Sequence, residues 1–136
     1  MVSGVLWALC FGRHPLPLAA SLALALLVLL MRSPRPGLWG WLHGFVSWMV
    51  ALSWIAPTLV TYGKMPLPAA IPLVGLFAGY LALFHAAFAG FGAWILRRGG
   101  LLPWIGLPAL WTALEWLRTY LGGGFPWNLA AYAWTD

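Results

Sequence analysis

Apolar residues fill this chain in long blocks, and the polar positions between them are few and clustered. Residues 2–11 are apolar but brief, and Gly12, Arg13, His14 and Pro15 interrupt them. Residues 18–31 form a Leu/Ala run slightly short of the ~20 residues a helix needs to cross a hydrocarbon core. Residues 32–37 read as a loop, because Pro34 and Pro36 remove donors and Gly37 allows a sharp turn. We read residues 2–31 as a helical hairpin with a truncated first arm. A secretory leader would carry basic residues ahead of its apolar run, and this segment has none there. Residues 38–56 predict a span that Pro57 ends, and 58–68 a mixed loop holding Tyr62, Gly63 and Lys64. Residues 67–96 would reach about 45 Å as a helix, against a core of about 30 Å. Pro68 and Pro72 are expected in its first turn, with the rest tilting or protruding. Arg97-Arg98-Gly99-Gly100 closes it, residues 101–121 form the last span, and Gly122-Gly123-Gly124 ends that helix. The expected fold is all-α: a polytopic transmembrane helix bundle of about four to five spanning helices. Residues 1–136 form one N-terminal transmembrane domain, with an outer-face tail over 122–136.

Composition sharpens this. The chain is 63% hydrophobic and 7% charged, with a mean hydropathy of +0.90. Domains that live in water carry about 25% charged residues. So few charges cannot cover a surface in water, so the apolar surface must face lipid. The net charge of +5 does not indicate nucleic acid. Arg13, Arg32, Arg35, Lys64, Arg97, Arg98 and Arg118 punctuate apolar runs rather than forming a stripe. Arg32, Arg35, Arg97 and Arg98 fall in alternate loops on one face, Arg13 and Lys64 on the other. The positive-inside rule then places the N-terminus in the cytoplasm and residues 125–136 on the outer face.

Helices in lipid pack through small residues that let backbones approach. Gly40, Gly44, Ser47 and Ala51 make one such stripe, and Gly75, Gly79, Ala82, Ala86 and Gly90 a second. Trp41, Phe45, Trp48 and Leu52 lie beside the first, facing lipid or a neighbour. Many of the 11 tryptophans sit near helix ends, including Trp39, Trp54, Trp104, Trp127 and Trp134, as aromatic belts require.

Candidate chemistry is sparse. Glu115 and Arg118 lie three residues apart on one face of the last span. A charge within a bilayer is costly, so such residues are paired, buried or functional. They read either as an internal ion pair near the outer interface or as a site for a lipid headgroup or a docked domain. His43 and His85 read as hydrogen-bonded packing residues, with no partner at metal-ligand spacing. The lone Cys10 excludes an intrachain disulfide and a cysteine-based zinc site. Cys10, Lys64 and Glu115 would supply a thiol, a cation and a carboxylate on one side. Cys10 sits in an apolar run that gives a thiolate no support, and no oxyanion hole is evident. No catalytic residue, metal or cofactor is assigned.

The segment Glu115-Trp116-Leu117-Arg118, then Gly124-Phe125-Pro126-Trp127-Asn128-Leu129 and Tyr132, resembles the bacterial apolipoprotein N-acyltransferases. That family carries an E-x-L-R helix end followed by G-F-P-W, a leucine and a G-Y pair. Ala131 stands here where the family usually has the Gly of G-Y. Residues 41–57 also look like its Gly/Phe/Trp-rich third span. The resemblance implies acyl transfer from a membrane phospholipid to the N-terminal cysteine of an apolipoprotein, in the cytoplasmic (inner) membrane with the C-terminus periplasmic. It implies a Glu-Lys-Cys site in a nitrilase-like domain on the outer face, and none of those residues maps onto this chain. The sequence ends at Asp136, ahead of that domain, and reads as a fragment, a split subunit working with the domain in cis or in trans, or a decayed remnant. Glu115, Arg118, Phe125, Pro126, Trp127, Asn128 and Tyr132 are the candidates for lipid contact or domain docking. The rivals are a small transporter or channel subunit, which would need a polar pathway or symmetric halves, and a non-catalytic lipid- or partner-binding scaffold.

Overall fold

A computed structural model describes residues 1–10 and 17–134. The expected interruption around Arg13 and His14, like Asp136, lies outside the described residues. Every regular element among those described is helical. They are α1 (Val2–Leu9), α2 (Pro17–Leu30), α3 (Pro36–Ala51), α4 (Ile55–Thr61), α5 (Leu67–Arg98) and α6 (Leu102–Arg118). Short 3₁₀ turns follow at Leu121–Gly123 and Ala130–Trp134.

Two prolines behave differently from expectation. Pro57 does not end the third span. Pro57 lies in the first turn of α4, where a missing N–H costs nothing, and the chain instead breaks at Leu52–Trp54. The α3–α4 pair is bent by 45° there. The Thr58 hydroxyl donates to the Trp54 carbonyl at 2.8 Å, securing the new start. Pro72 lies inside α5 rather than in its first turn, which Pro68 holds. Among the described residues α5 alone is long and apolar enough to cross a membrane, and α3 with α4 passes together only as a bent pair, a broken span or a re-entrant loop.

The core is the α3–α5 contact. A Cβ on Gly40 would meet the Ala89 Cβ, and would lie 2.5 Å from the His85 carbonyl oxygen. At Gly44 it would come within 2.8 Å of the His85 ring. The first small-residue stripe therefore lets two backbones approach closely. The second stripe holds at Ala82, which is fully buried, and is displaced elsewhere. Gly75 and Gly90 face open space, and the buried face of α5 is Ala78, Ala82, His85 and Ala89. That face recurs every three to four residues, and alanine is small enough to serve where glycine was expected. Trp48 and Leu52 are buried against it with Val74, Ala78 and Leu81.

α1 seats Gly4 on the His43 carbonyl, and Ser3 lies 2.9 Å from His43 Nδ1, so His43 is a hydrogen-bonded packing residue as expected. Cys10 is fully buried, its thiol donating to the Leu6 carbonyl at 2.9 Å, packed on Ala20, Ala23 and Ala133. The outside is apolar: Leu18 is 86% exposed, Leu76 75% and Ile105 71%. Exposed aromatics gather at both ends, with Trp39, Trp94 and Trp104 at one and Trp54, Tyr62, Trp116 and Tyr120 at the other.

Candidate functional site

The chain leaves α6 through three glycines in the left-handed region, Gly122, Gly123 and Gly124, with φ of 62°, 92° and 77°. Only glycine adopts three such angles in succession without strain. Their effect is to fold residues 125–130 back beneath the end of α6. The Phe125 amide donates to the Arg118 carbonyl at 3.1 Å. The Phe125 ring enters between α3 and α5, edge-on to Phe77 at 5.0 Å and to Trp48 at 5.8 Å.

Arg118 holds the turn from inside. Its side chain is 4% exposed, and one guanidinium nitrogen donates to the carbonyls of Phe125 and Trp127, each at 2.8 Å. The guanidinium also lies over the Trp48 ring, 5.0 Å from the centroid. Glu115 accepts a hydrogen bond from the Ala130 amide at 2.7 Å. The two charges are 4.0 Å apart, at the outer limit of an ion pair. Each thus makes its shortest bond to the returning backbone rather than to the other. A buried cation bonded to two carbonyls and a carboxylate bonded to an amide form a polar clasp that fixes the path of residues 125–130.

Around the clasp is a small cavity of about 20 Å³, lined in part by His85, Trp111, Glu115, Arg118 and Asn128. That is about the room one water needs, so neither a headgroup nor an acyl chain fits inside it. Trp111 packs edge-on to Phe88 at 4.8 Å and to His85 at 5.5 Å, closing the floor. His85 is therefore buried among rings, on the same face as the clasp.

The structure brings most of the sequence candidates together. Glu115, Arg118, Phe125 and Asn128 converge, and Trp127 joins through its carbonyl. Asn128 takes a φ of 50°, an angle asparagine tolerates better than most residues. Pro126 is exposed, as are the rings of Trp127 and Tyr132, at 54% each. The Trp127 ring packs on Phe125 at 6.3 Å and on Trp54 at 5.7 Å, tying the turn to the start of α4. Sequence reasoning missed Phe77 and Trp111. Trp111 lies one turn before Glu115 on the same helix face, and that spacing was the available signal. Cys10 lies in its own buried cluster and Lys64 is exposed at the α4–α5 turn with φ 53°. Among the described residues no group of three His, Cys, Asp or Glu could hold a metal ion.

Comparison with known proteins gives this geometry a family. Residues 3–136 match the model of the apolipoprotein N-acyltransferase N-terminal domain. The chain is 39% identical to the apolipoprotein N-acyltransferase of Shewanella oneidensis over 144 aligned positions, covering 99% of this chain and 27% of that protein. It is 35% identical to the Methylococcus capsulatus protein of the same name, covering 100% of this chain and 28% of the relative. The figures for the Azotobacter vinelandii protein are 38%, 98% and 27%. The chain thus spans little more than a quarter of these relatives' length, and it belongs to the apolipoprotein N-acyltransferase family, matching its N-terminal domain.

Proposed function

We propose that these residues are the N-terminal part of the membrane domain of a bacterial apolipoprotein N-acyltransferase, built into the cytoplasmic membrane. The enzyme would transfer an acyl chain from a phospholipid to the N-terminal cysteine of a lipoprotein. Its nucleophile and its glutamate and lysine partners would belong to a nitrilase-like domain, in cis or in trans, rather than to residues 1–136. Here α2, α3 with α4, α5 and α6 span the bilayer, α1 completes four to five passes, and the N-terminus is cytoplasmic. The apolar exterior, the aromatic residues at both ends and the length of α5 favour a lipid surrounding.

The role of the exit turn rests on one observation: the buried Arg118 and the half-buried Glu115 hold backbone, and the Trp127 and Tyr132 side chains of the turn they fix are exposed. A clasp that fixes carbonyls and amides shapes a surface. With no space inside for a headgroup, that surface is the docking face for the catalytic domain and the rim of the acyl-chain entrance. A transporter would need a continuous polar pathway. The two charges within α6 are tied to each other and to the turn, so neither is left to line one.

The test is Trp127→Ala in the protein in its membrane, with N-acylation of a reporter lipoprotein read by mass spectrometry of its N-terminal peptide. An exposed tryptophan at the centre of a docking face contributes 2 kcal/mol or more, so transfer should slow about thirtyfold while helix content is kept. Transfer at the unaltered rate, with the protein folded, would refute the docking role.

A further inference from the structure

The end of the bundle opposite the clasp carries a second feature that the acyl-transfer reading does not use. The α2–α3 loop and the last turn of α5 enclose a cavity of about 300 Å³ lined by Met31, Arg32, Ser33, Ala93, Leu96 and Arg97. Half of that lining is polar, and both charged members are cationic. The Ser33 hydroxyl oxygen is buried without a hydrogen-bond partner. Arg98, the neighbour of Arg97, lies over the Trp94 ring at 4.6 Å, whereas Arg97 lines the cavity.

Nothing described within the chain neutralises this end. It carries Arg32, Arg35, Arg97 and Arg98, against two acidic residues in the whole sequence. Glu115 is committed to Arg118 and Ala130 at the other end of α6, a 17-residue helix about 25 Å long, and Asp136 lies outside the described residues. Two arginines lining one cavity, with an unpartnered hydroxyl buried in its wall, supply the kind of donors that phosphate oxygens accept from.

A second cavity indicates which phosphate. One to two turns further into the bundle, between α2, α5 and α6, Leu24, Val28, Phe88, Leu107 and Trp111 line an apolar groove of about 320 Å³. Met31 and Ala93 belong both to the basic cavity and to the apolar cluster at that level, with Leu27 and Phe88. A basic mouth above an apolar groove on the same helices fits a molecule with an anionic head and a hydrocarbon chain. Basic pockets between helix ends on the cytoplasmic side are where such headgroups bind.

We propose that Arg32, Ser33 and Arg97 form a binding site for the phosphate of an anionic phospholipid, on the face opposite the acyl-transfer side, with one acyl chain along the α2–α5–α6 groove. This site rests on the membrane part of the proposed function and not on the chemistry proposed for the outer face.

The experiment uses the protein purified from its membrane, delipidated and placed in nanodiscs of phosphatidylethanolamine with increasing phosphatidylglycerol. Retained lipid is counted by native mass spectrometry. Preferential retention of phosphatidylglycerol is expected, weakened about thirtyfold by Arg32→Gln with Arg97→Gln. The control pair Arg35→Gln with Arg98→Gln removes the same charge from the same face and should retain the lipid. Equal losses in both pairs would reduce the effect to general surface attraction and overturn the site. Displacement of the lipid by millimolar inorganic phosphate would assign the cavity to a free anion and overturn the lipid. If the Arg32/Arg97 pair fails to fold, Ser33→Leu fills the cavity without touching charge and must weaken retention likewise; unchanged retention there also overturns the proposal. Failure of the chain to insert would instead refute the membrane reading, because no lipid of either class would be retained.

Discussion

Replacing Arg118 by methionine tests the clasp directly. The side chain is 4% exposed, so its two 2.8 Å bonds to the Phe125 and Trp127 carbonyls are shielded from competing solvent. Each charge-assisted bond contributes about 1.5–3 kcal/mol, and removal also leaves Glu115 without its nearby cation. Methionine fills much of the same volume over Trp48, so the loss is polar rather than a cavity. Taking the low end for both bonds, the turn should open with a free energy smaller by about 3 kcal/mol, a shift of about a hundredfold in the local opening equilibrium. Hydrogen exchange followed by mass spectrometry reads this at the Phe125 amide, bonded to the Arg118 carbonyl, and the Ala130 amide, bonded to Glu115. Protection over residues 121–134 should fall about a hundredfold while the α5 amides facing α3 keep theirs. Adding Glu115→Gln should restore part of the loss, because it removes the stranded charge. Protection unchanged within about threefold in Arg118→Met, with the helices intact, would refute the claim that the guanidinium holds the turn.

Two further outcomes follow from packing and topology. Gly40→Ala should cost about 1–3 kcal/mol in detergent unfolding titrations, because its new methyl meets the Ala89 Cβ and the His85 carbonyl. Gly75→Ala, with nothing within 4 Å, should be neutral or stabilising by up to about 1 kcal/mol; equal losses at both positions would remove the distinction between the α3–α5 contact and the open face of α5. A cysteine at position 64 should react with an impermeant maleimide added to intact spheroplasts, and one at position 35 only after lysis. Cys10, fully buried, stays silent in that assay, and the reverse pattern would invert the proposed orientation.

The helical character of the chain was legible because apolar runs of this length, broken by Pro/Gly clusters, admit few other structures. Element ends were less so. Pro57 carried a stop signal in the sequence, yet a proline loses nothing in a first turn, and only packing of residues 52–54 selects between the two. The stripe on α5 was read from small-residue spacing, and its Ala82 is in the contact, but Ala78 and Ala89 rather than Gly75 and Gly90 complete it, because any small side chain permits close approach. Glu115 and Arg118 were recognisable as a pair by their spacing. That their shortest bonds go to backbone at positions 125, 127 and 130 was not, because those contacts depend on the three-glycine reversal, whose direction no local pattern specifies. Phe77 joined the site for the same reason: the reversal delivers Phe125 to it across a gap in sequence.

α5 has 32 residues and α6 has 17, and the end of α5 is almost level with the start of α6, the two joined by a turn at Gly99 and Gly100. At 1.5 Å per residue α6 therefore stops about 22 Å short of the far end of α5. Phe125 accordingly meets α5 at Phe77, well below its first residue. In a bilayer with a core of about 30 Å, the exit turn becomes a ledge sunk beside a taller wall formed by α5 and α4. If the chain spans a bilayer as proposed, that ledge lies below the far end of α5, and a lipid reaching it would enter sideways from the membrane rather than be lifted out.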